Sequence, residues 1–493
     1  MERGEYALVI RHRYGYEVQA TAKLFVPGVR FLLVEDGAAP DVPHVIETAV
    51  TDGAQGRVLT VDVRLHGQHV TRETTLPSAA TDSETEYALC SLLYEVLQQI
   101  TGRTPPWGML TGIRPVRRLL VTADGGSLED AADRMQARYH ISEEKKQLML
   151  ETARVQRPIL PHSPRQVGLY IAVPFCPTRC SYCSFVSHSI EQAGKLIPGY
   201  VEKLCEELRY LGGVVKTYGL DIQSVYIGGG TPTTLSPDQL RQVMAQTAES
   251  FDLSGTREYT VEAGRADTIT EDKLRVIREM GATRISVNPQ TMQDSVLTAI
   301  GRRHTAAQVV EAYQTARALG FDDINMDLIA GLPTDTLAGF TDTLDQVMAL
   351  APDSITVHTL TVKRAARLYQ TDEAQMRADE VTQMAALSAA RLPAAGWRPY
   401  YLYRQKNTLG DLENVGYAKP GKENLYNILI MDETQTILAA GCAASTKLVE
   451  PGGDITRVMN YKFPYEYIGR FDAMMQKKRE IEPILARMTG GLA

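Results

Sequence analysis

The chain has 493 residues, 44% of them hydrophobic, and a formal net charge of -7 at pH 7. That length suggests about three domains with ample chain for a large core, and the acidic balance argues against a general nucleic-acid binder, which carries clustered positive charge. No segment reaches the ~18 uninterrupted apolar residues of a membrane span, and the start MERGEYALVIRHR lacks the apolar run of a signal peptide, so a cytoplasmic protein is expected.

Residues 1–80 read as a small β-rich N-terminal domain, because short β-prone runs (EYALVIRHR, RFLLVED, RVLTVDVRLHG) alternate with Gly, Pro and Asp turns. Residues 81–165 read as a helical segment and linker. Apolar residues recur at helical spacing over 83–100, with Cys90 on the apolar face, and again over roughly 127–154. Between them WGMLTGIRP, with Arg114, Arg117 and Arg118, reads equally well as an anion-gripping loop or a surface linker. Pro158, Pro161 and Pro164 mark the joint to the next domain.

Residues 166–395 run in a regular beat. Strand-like stretches at 169–173, 224–228, 258–262, 284–288, 324–330 and 354–358 alternate with helical patterns such as IPGYVEKLCEELRYLG and AAQVVEAYQTARALG. Six βα units imply a parallel sheet with right-handed crossovers, so the expected fold class is α/β, an open, partial (β/α)6 barrel with an N-terminal α+β domain and a C-terminal α+β region. Cys205, on the first of these helices, is spaced like a core residue. Residues 396–493 form a C-terminal α+β region. It opens with the strand-like WRPYYLYRQ, carries tyrosines from Tyr400 to Tyr426, turns at GCAAST where Cys442 reads as structural, and ends in an amphipathic helical stretch that packs on the barrel.

The sharpest chemical signal is CPTRCSYC. Cys176, Cys180 and Cys183 lie in a loop just after the strand-like LYIAVPF, where three thiolates can be aimed at one point. A 4Fe-4S cluster normally takes four cysteines, so three leave one iron open for a ligand that is not protein. The competing reading is zinc with His188 as fourth ligand, but structural zinc sites usually use two separated pairs. A disulfide framework does not suit a long chain with few cysteines and no leader.

Further polar residues fall at strand ends, where ligands of parallel sheets sit. Gly229, Gly230 and Thr231 follow the second strand in YIGGGTP, and Glu262 ends the third in TVEAGR. Asn288 and Gln290 follow the fourth, and Asp327 sits inside the apolar INMDLIAGLP, where a carboxylate requires a partner. Arg302 and His304 in IGRRHT are explained nearly as well by a helix cap or a salt bridge.

The cysteine spacing, with Tyr182 before the last cysteine, resembles the radical S-adenosylmethionine (SAM) superfamily. Taken in order, CPTRCSYC, GGGTPT, TVEAGR, SVNPQT, GRRHT and MDLIAGLP resemble the oxygen-independent coproporphyrinogen III oxidase (HemN-like) family. YYLYRQKNTLGDLENVGYAKPG and WGMLTGIRP look like its HemZ subgroup, often called coproporphyrinogen dehydrogenase. The resemblance implies a TIM-like radical SAM barrel and two cofactors, a 4Fe-4S cluster on Cys176, Cys180 and Cys183, and SAM. Tyr170, Gly229 and Glu262 match positions that contact the cluster-bound SAM. Gly230, Thr231, Gln290, Arg302, Asp327 and Tyr182 match positions that hold a second SAM in HemN-like enzymes, with Thr361 a weaker match.

The reaction implied is oxidative decarboxylation of coproporphyrinogen III to protoporphyrinogen IX, with a one-electron donor such as flavodoxin or ferredoxin as partner. A tetracarboxylate substrate needs cationic grips, for which Arg404, Lys406 and Arg114 are the candidates. Two alternatives come from the same superfamily. One is a haem chaperone of the HemW type, whose His-Asn-Arg-Tyr type of motif is absent here; the other is a radical SAM methyltransferase acting on another tetrapyrrole.

Overall fold

The computed structural model describes residues 6–26, 29–35, 37–54, 56–160, 163–183, 187–361, 378–405 and 408–490. Lys406 and Pro161 lie outside them. The chain divides into two compact units: Met1–Ile113 with Gly126–Gln147 and Gly410–Leu412, and Arg114–Gly125 with Leu148–Leu409 and Glu413–Ala493.

The first unit is built on a five-stranded sheet of order β2-β1-β3-β4-β5, where β1 is Tyr6–Arg11, β2 Leu32–Val34, β3 His44–Gly53, β4 Gly56–Leu65 and β5 Gln68–Leu76. A helix at Gly15–Phe25, which the β-rich reading of this region passed over, joins β1 to its parallel neighbour β2. Eleven residues carrying only Val18, Ala22 and Phe25 as a buried apolar face give a weak periodic signal, and packing on the sheet decides the conformation. The helix Asp82–Thr101 begins on a reciprocal capping box between Thr81 and Glu84. It packs Leu89, Leu93 and Leu97 against Leu59, Val61 and Val63 of β4. Cys90 is in this core, where burial pushes its thiol up to about 11.

In the second unit the strands are β6 (Gln166–Val173), β7 (Phe175–Cys176), β8 (His188–Ser189), β9 (Asp221–Gly229), β10 (Glu258–Gly264), β11 (Arg284–Val287), β12 (Ile324–Ala330), β13 (Ser354–Thr359), β14 (Arg398–Arg404), β15 (Glu413–Ala418), β16 (Ile437–Ala440), β17 (Ser445–Val449) and β18 (Ile455–Met459). Eleven of them form one sheet of order β14-β15-β13-β12-β11-β10-β9-β6-β16-β17-β18. Strands β13, β12, β11, β10, β9 and β6 are mutually parallel. These are the expected six, and helices such as Ile197–Thr217 and Pro237–Ser250 cross between them. The C-terminal region adds a further parallel strand: β16 pairs with β6 through Ile437–Ala440. Four residues without alternation carry no periodicity, which is why sequence reading stops at six. The antiparallel pairs β14-β15 and β17-β18 flank the parallel part.

Three expectations are corrected. The stretch 127–154 is two helices, Leu128–Tyr139 and Glu143–Gln156, separated at His140, whose φ is 55°. The arginine-rich stretch after WGMLTGI is a helix, Pro115–Ala123, with Pro115 in its first turn, where the missing N–H costs nothing. The C-terminal stretch is three short helices, Pro464–Gly469, Phe471–Lys478 and Ile481–Thr489.

Candidate functional site

The carboxyl ends of the parallel strands gather the motif residues. The cysteine loop leaves β6 through Pro174 and enters β7, which pairs with β8 so that Phe175 faces His188. Cys176 and Cys180 are buried and Cys183 is partly exposed, none of them in a disulfide. The loop is pinned along its length. Ser181 N donates to Ile300 O (3.1 Å), Thr178 Oγ1 to Gly301 O (3.0 Å) and Cys183 N to Cys180 O (3.2 Å).

The glycine run after β9 closes on the start of this loop. Gly230 N donates to Val173 O (2.7 Å) and Thr231 N to Phe175 O (2.8 Å). A Cβ on Gly230 would stand 2.6 Å from Phe175 O, so only glycine permits this approach. Gly229 adopts φ 108°, and its backbone N–H bonds to Glu262. Thr231 Oγ1 reaches Cys176 Sγ at 3.5 Å. Burial pushes the Cys176 thiol up, with Thr231 and Ser187 opposing.

Below the loop the barrel interior is lined by aromatic rings and two carboxylates. Tyr170 of β6, Tyr226 of β9 and Tyr426 stack on one another, with centroids 6.1, 6.0 and 4.5 Å apart for the pairs 170–226, 170–426 and 226–426. Tyr226 donates its hydroxyl to Glu262. Glu262, at the end of β10, is pushed up to about 7 by burial and by the neighbouring charge of Asp327, against the Tyr226 hydrogen bond. Asp327 on β12 accepts from Asn325 Nδ2 (2.7 Å), and His358 Nε2 of β13 stands 3.8 Å from its Oδ2. Burial pushes its carboxyl up, but His358, Asn325 and Thr356 outweigh that and hold it below the usual range.

Gln290 follows β11 with φ 69°. Its N–H donates to Asp327 O (2.9 Å) and its carbonyl accepts from Ile329 N (3.0 Å). Arg302 is 8% exposed and donates to Asn288 O (2.5 Å) and Tyr182 OH (3.0 Å), so it braces the cysteine loop instead of capping a helix. His304 Nδ1 lies 3.5 Å from Asp267 Oδ1. Thr361 bonds Gln405 Oε1 at 3.0 Å.

The side-chain atoms Gln290 Oε1, Asn288 Oδ1, Ser286 Oγ, Arg302 Nε and Ser181 Oγ are buried at this end with no hydrogen-bond partner. Buried polar atoms normally find partners, so this cluster has the polarity that a bound cofactor would satisfy. The thiols fit the same expectation. Three thiols on one loop match the donor set of a 4Fe-4S cluster, which takes each thiolate on a separate iron and would leave one iron open. His188 packs its ring against Phe463, with centroids 5.7 Å apart.

The expected substrate grips fare differently. Arg404 ends β14, which runs antiparallel to β15 as β15 does to β13, so it lies at the carboxyl end and is 5% exposed. Arg114 is a correction. It pairs with Glu433 Oε2 at 2.6 Å, while Arg117 donates to Asp432 O at 2.7 Å. Glu433 just precedes β16, whose approach residue Thr436 accepts from Gly168 at the start of β6. Arg114 therefore serves the amino end, roughly 25 Å of extended strand from the cysteines. The tyrosine stripe is also mostly core: Tyr400, Tyr401, Tyr417 and Tyr426 are buried. Cys442 is buried and donates to Lys462 O (3.0 Å), and Cys205 is buried in the helix Ile197–Thr217.

Sequence reading missed Tyr226, Ser286 and His358. Alternation along β9, β11 and β13 was the available signal, because each shares its strand face with a residue or strand end already marked.

Residues 170–347 match the model of the Radical SAM superfamily. The oxygen-independent coproporphyrinogen-III oxidase-like protein HemZ of Bacillus subtilis (strain 168) is 41% identical over 404 residues, 80% of each chain. The haem chaperone HemW of the same organism is 30% identical over 274 residues, 54% of this chain and 67% of that one. Coproporphyrinogen III oxidase (HemN) from Escherichia coli has the same fold, with TM-score 0.52 and 22% identity over 65% of this chain and 72% of its own.

Proposed function

The chain belongs to the radical SAM superfamily, in the family of the coproporphyrinogen-III oxidase-like protein HemZ, with a 4Fe-4S cluster and SAM as its cofactors, and from that premise we propose that it decarboxylates a tetrapyrrole propionate. The observation that carries this reading is the common end shared by the three thiols, the Tyr170-Tyr226-Glu262 wall and the unsatisfied polar atoms around Gln290 and Arg302.

In this reading Cys176, Cys180 and Cys183 would hold the cluster, and cluster and SAM together would supply one-electron radical chemistry for hydrogen abstraction. The chain's own residues bind, orient and exclude water, as protein groups do around a cofactor. Glu262 would take the SAM ammonium, with Tyr170 and Gly229 beside it. Tyr182, Gly230, Thr231, Gln290, Arg302 and Asp327 would be the residues to meet a second SAM, with the unsatisfied Gln290 Oε1 and Arg302 Nε among its polar contacts. Asp327 stays ionised beside His358, so that the floor carries one fixed charge whatever the state of Glu262. The substrate is coproporphyrinogen III, the electron comes from a small one-electron carrier such as flavodoxin or ferredoxin, and a long chain with few cysteines suits a cytoplasmic setting.

The test is an anaerobic reaction of reconstituted protein with SAM, a one-electron reductant and coproporphyrinogen III, followed by mass spectrometry of nucleoside and porphyrin. Protoporphyrin with matching 5'-deoxyadenosine is expected. Arg404→Gln is expected to raise KM for the porphyrinogen about tenfold, the loss of one charge-assisted hydrogen bond, while Arg114→Gln leaves KM unchanged. Similarity to the HemW haem chaperone supports a second reading, haem binding without decarboxylation. Stoichiometric haem uptake with unchanged coproporphyrinogen would favour it.

A further inference from the structure

Arg265 follows the end of β10 and is 3% exposed. One edge of its guanidinium, Nε and Nη2, meets Asp267 Oδ1 and Oδ2 at 2.9 and 2.6 Å, a bidentate pair. Its remaining nitrogen, Nη1, turns to the cysteine loop and donates to Thr178 O (3.1 Å), Thr178 Oγ1 (2.8 Å) and Cys180 Sγ (3.8 Å). A rigid planar fork can serve a carboxylate on one edge and a loop on the other, which the single ammonium of lysine cannot do. Arg302 also reaches Cys180, so two buried guanidinium groups attend one sulfur.

We propose that Arg265 is a positioning residue of the cluster: it holds the loop at Thr178 and, by donating to the Cys180 sulfur, sets the reduction potential of the cluster bound there. The proposal rests on reading Cys176, Cys180 and Cys183 as the cluster ligands. Hydrogen bonds to cluster sulfurs and local charge are what tune such potentials. A reduced cluster carries one more negative charge, and a cationic N–H at its sulfur stabilises that state over the oxidised one. Asp267 works in the opposite sense, since its carboxylate offsets the guanidinium charge. The two residues therefore predict shifts of opposite sign, which a merely structural clamp does not.

The experiment is an anaerobic redox titration of the reconstituted full chain without SAM, followed by electron paramagnetic resonance, with iron and sulfide counted for each sample. In Arg265→Gln the ratio of reduced to oxidised cluster at a fixed ambient potential is expected to fall about tenfold, which is ~59 mV for one electron. Arg265→Lys keeps the charge but not the fork and falls less. Asp267→Asn, which keeps the donor and removes the counter-charge, raises the ratio. If Arg265→Gln takes up no iron, the other two variants carry the same signs and decide alone. Ratios within twofold of wild type in the variants that load, or a fall in Asp267→Asn, would overturn the proposal. A wild-type chain that takes up no cluster would overturn the cluster reading instead.

Discussion

Two carboxylates face each other across the barrel floor, and their surroundings drive them apart. Glu262 is raised to about 7, chiefly by burial, while Asp327 is held low by His358, Asn325 and Thr356. A carboxyl raised to about 7 is protonated at pH 6 and ionised at pH 8, and only the ionised form attracts the SAM ammonium. Calorimetry of cluster-loaded protein is therefore expected to show SAM affinity strengthening from pH 6 to pH 8, by about tenfold per pH unit at the acid end. Glu262→Gln flattens that dependence. The same shift makes Glu262 protonated in the folded chain and ionised in the unfolded one between its ordinary 4.5 and about 7, so its contribution to stability is lost as pH rises through that window.

The cysteines divide by environment rather than by residue type. Cys176, Cys180 and Cys183 share one loop, whereas burial pushes Cys442 up to about 12 against a carbonyl oxygen. Serine at any of the three loop positions is expected to abolish iron and sulfide incorporation. Cys442→Ser keeps both, as iron analysis after reconstitution will show.

At the scale of elements, the helix Leu425–Asp432 holds the barrel floor from the amino end. Glu258, at the start of β10, accepts from Leu425 N (2.7 Å) and Tyr426 N (3.2 Å), a carboxylate at a helix N-terminus. Asn424 Nδ2 donates to Thr260 Oγ1 (3.2 Å), and Tyr426 then stacks on Tyr226. Glu258→Ala leaves those two buried N–H groups without an acceptor and is expected to cost about 1–3 kcal/mol in urea unfolding. It also loosens the stack that supports Glu262, so SAM affinity falls with it.

At the scale of the whole molecule, one buried polar network joins the C-terminal region to the parallel sheet. Glu207, fully buried in the helix Ile197–Thr217, is ion-paired with Lys478 and accepts from Gly441 N (2.8 Å), Asn460 Nδ2 (2.8 Å) and Tyr467 OH (2.6 Å). Tyr200, on the same helix, donates to Ala172 O of β6 (2.7 Å) and accepts from Cys442 N (2.9 Å). The turn after β16 is thereby fixed to the strand that launches the cysteine loop. Lys478→Met strands a buried carboxylate and is expected to cost about 3–5 kcal/mol in thermal or urea unfolding. Adding Glu207→Gln recovers much of that, because the uncompensated charge is gone.

The six central strands, the cysteine loop and the strand-end polar residues were all legible in the sequence, because each rests on a local rule: period-2 or continuous apolar runs, helical spacing between them, and ligands at carboxyl ends of parallel strands. Those rules are set by a residue and its near neighbours. What tertiary structure alone decided lies between residues distant in the chain. Arg114 looked like an anion grip until Glu433, more than three hundred residues on, was found to occupy it. Gly230 fits against Phe175, and β16 joins β6, through backbone approaches that no composition signals. Nothing in the sequence marks Arg265, and only the fold brings Cys180 and Asp267 to its two edges. Burial and pairing set which charge is free, which thiol is raised and which tyrosine is core. Both depend on the packed chain as a whole.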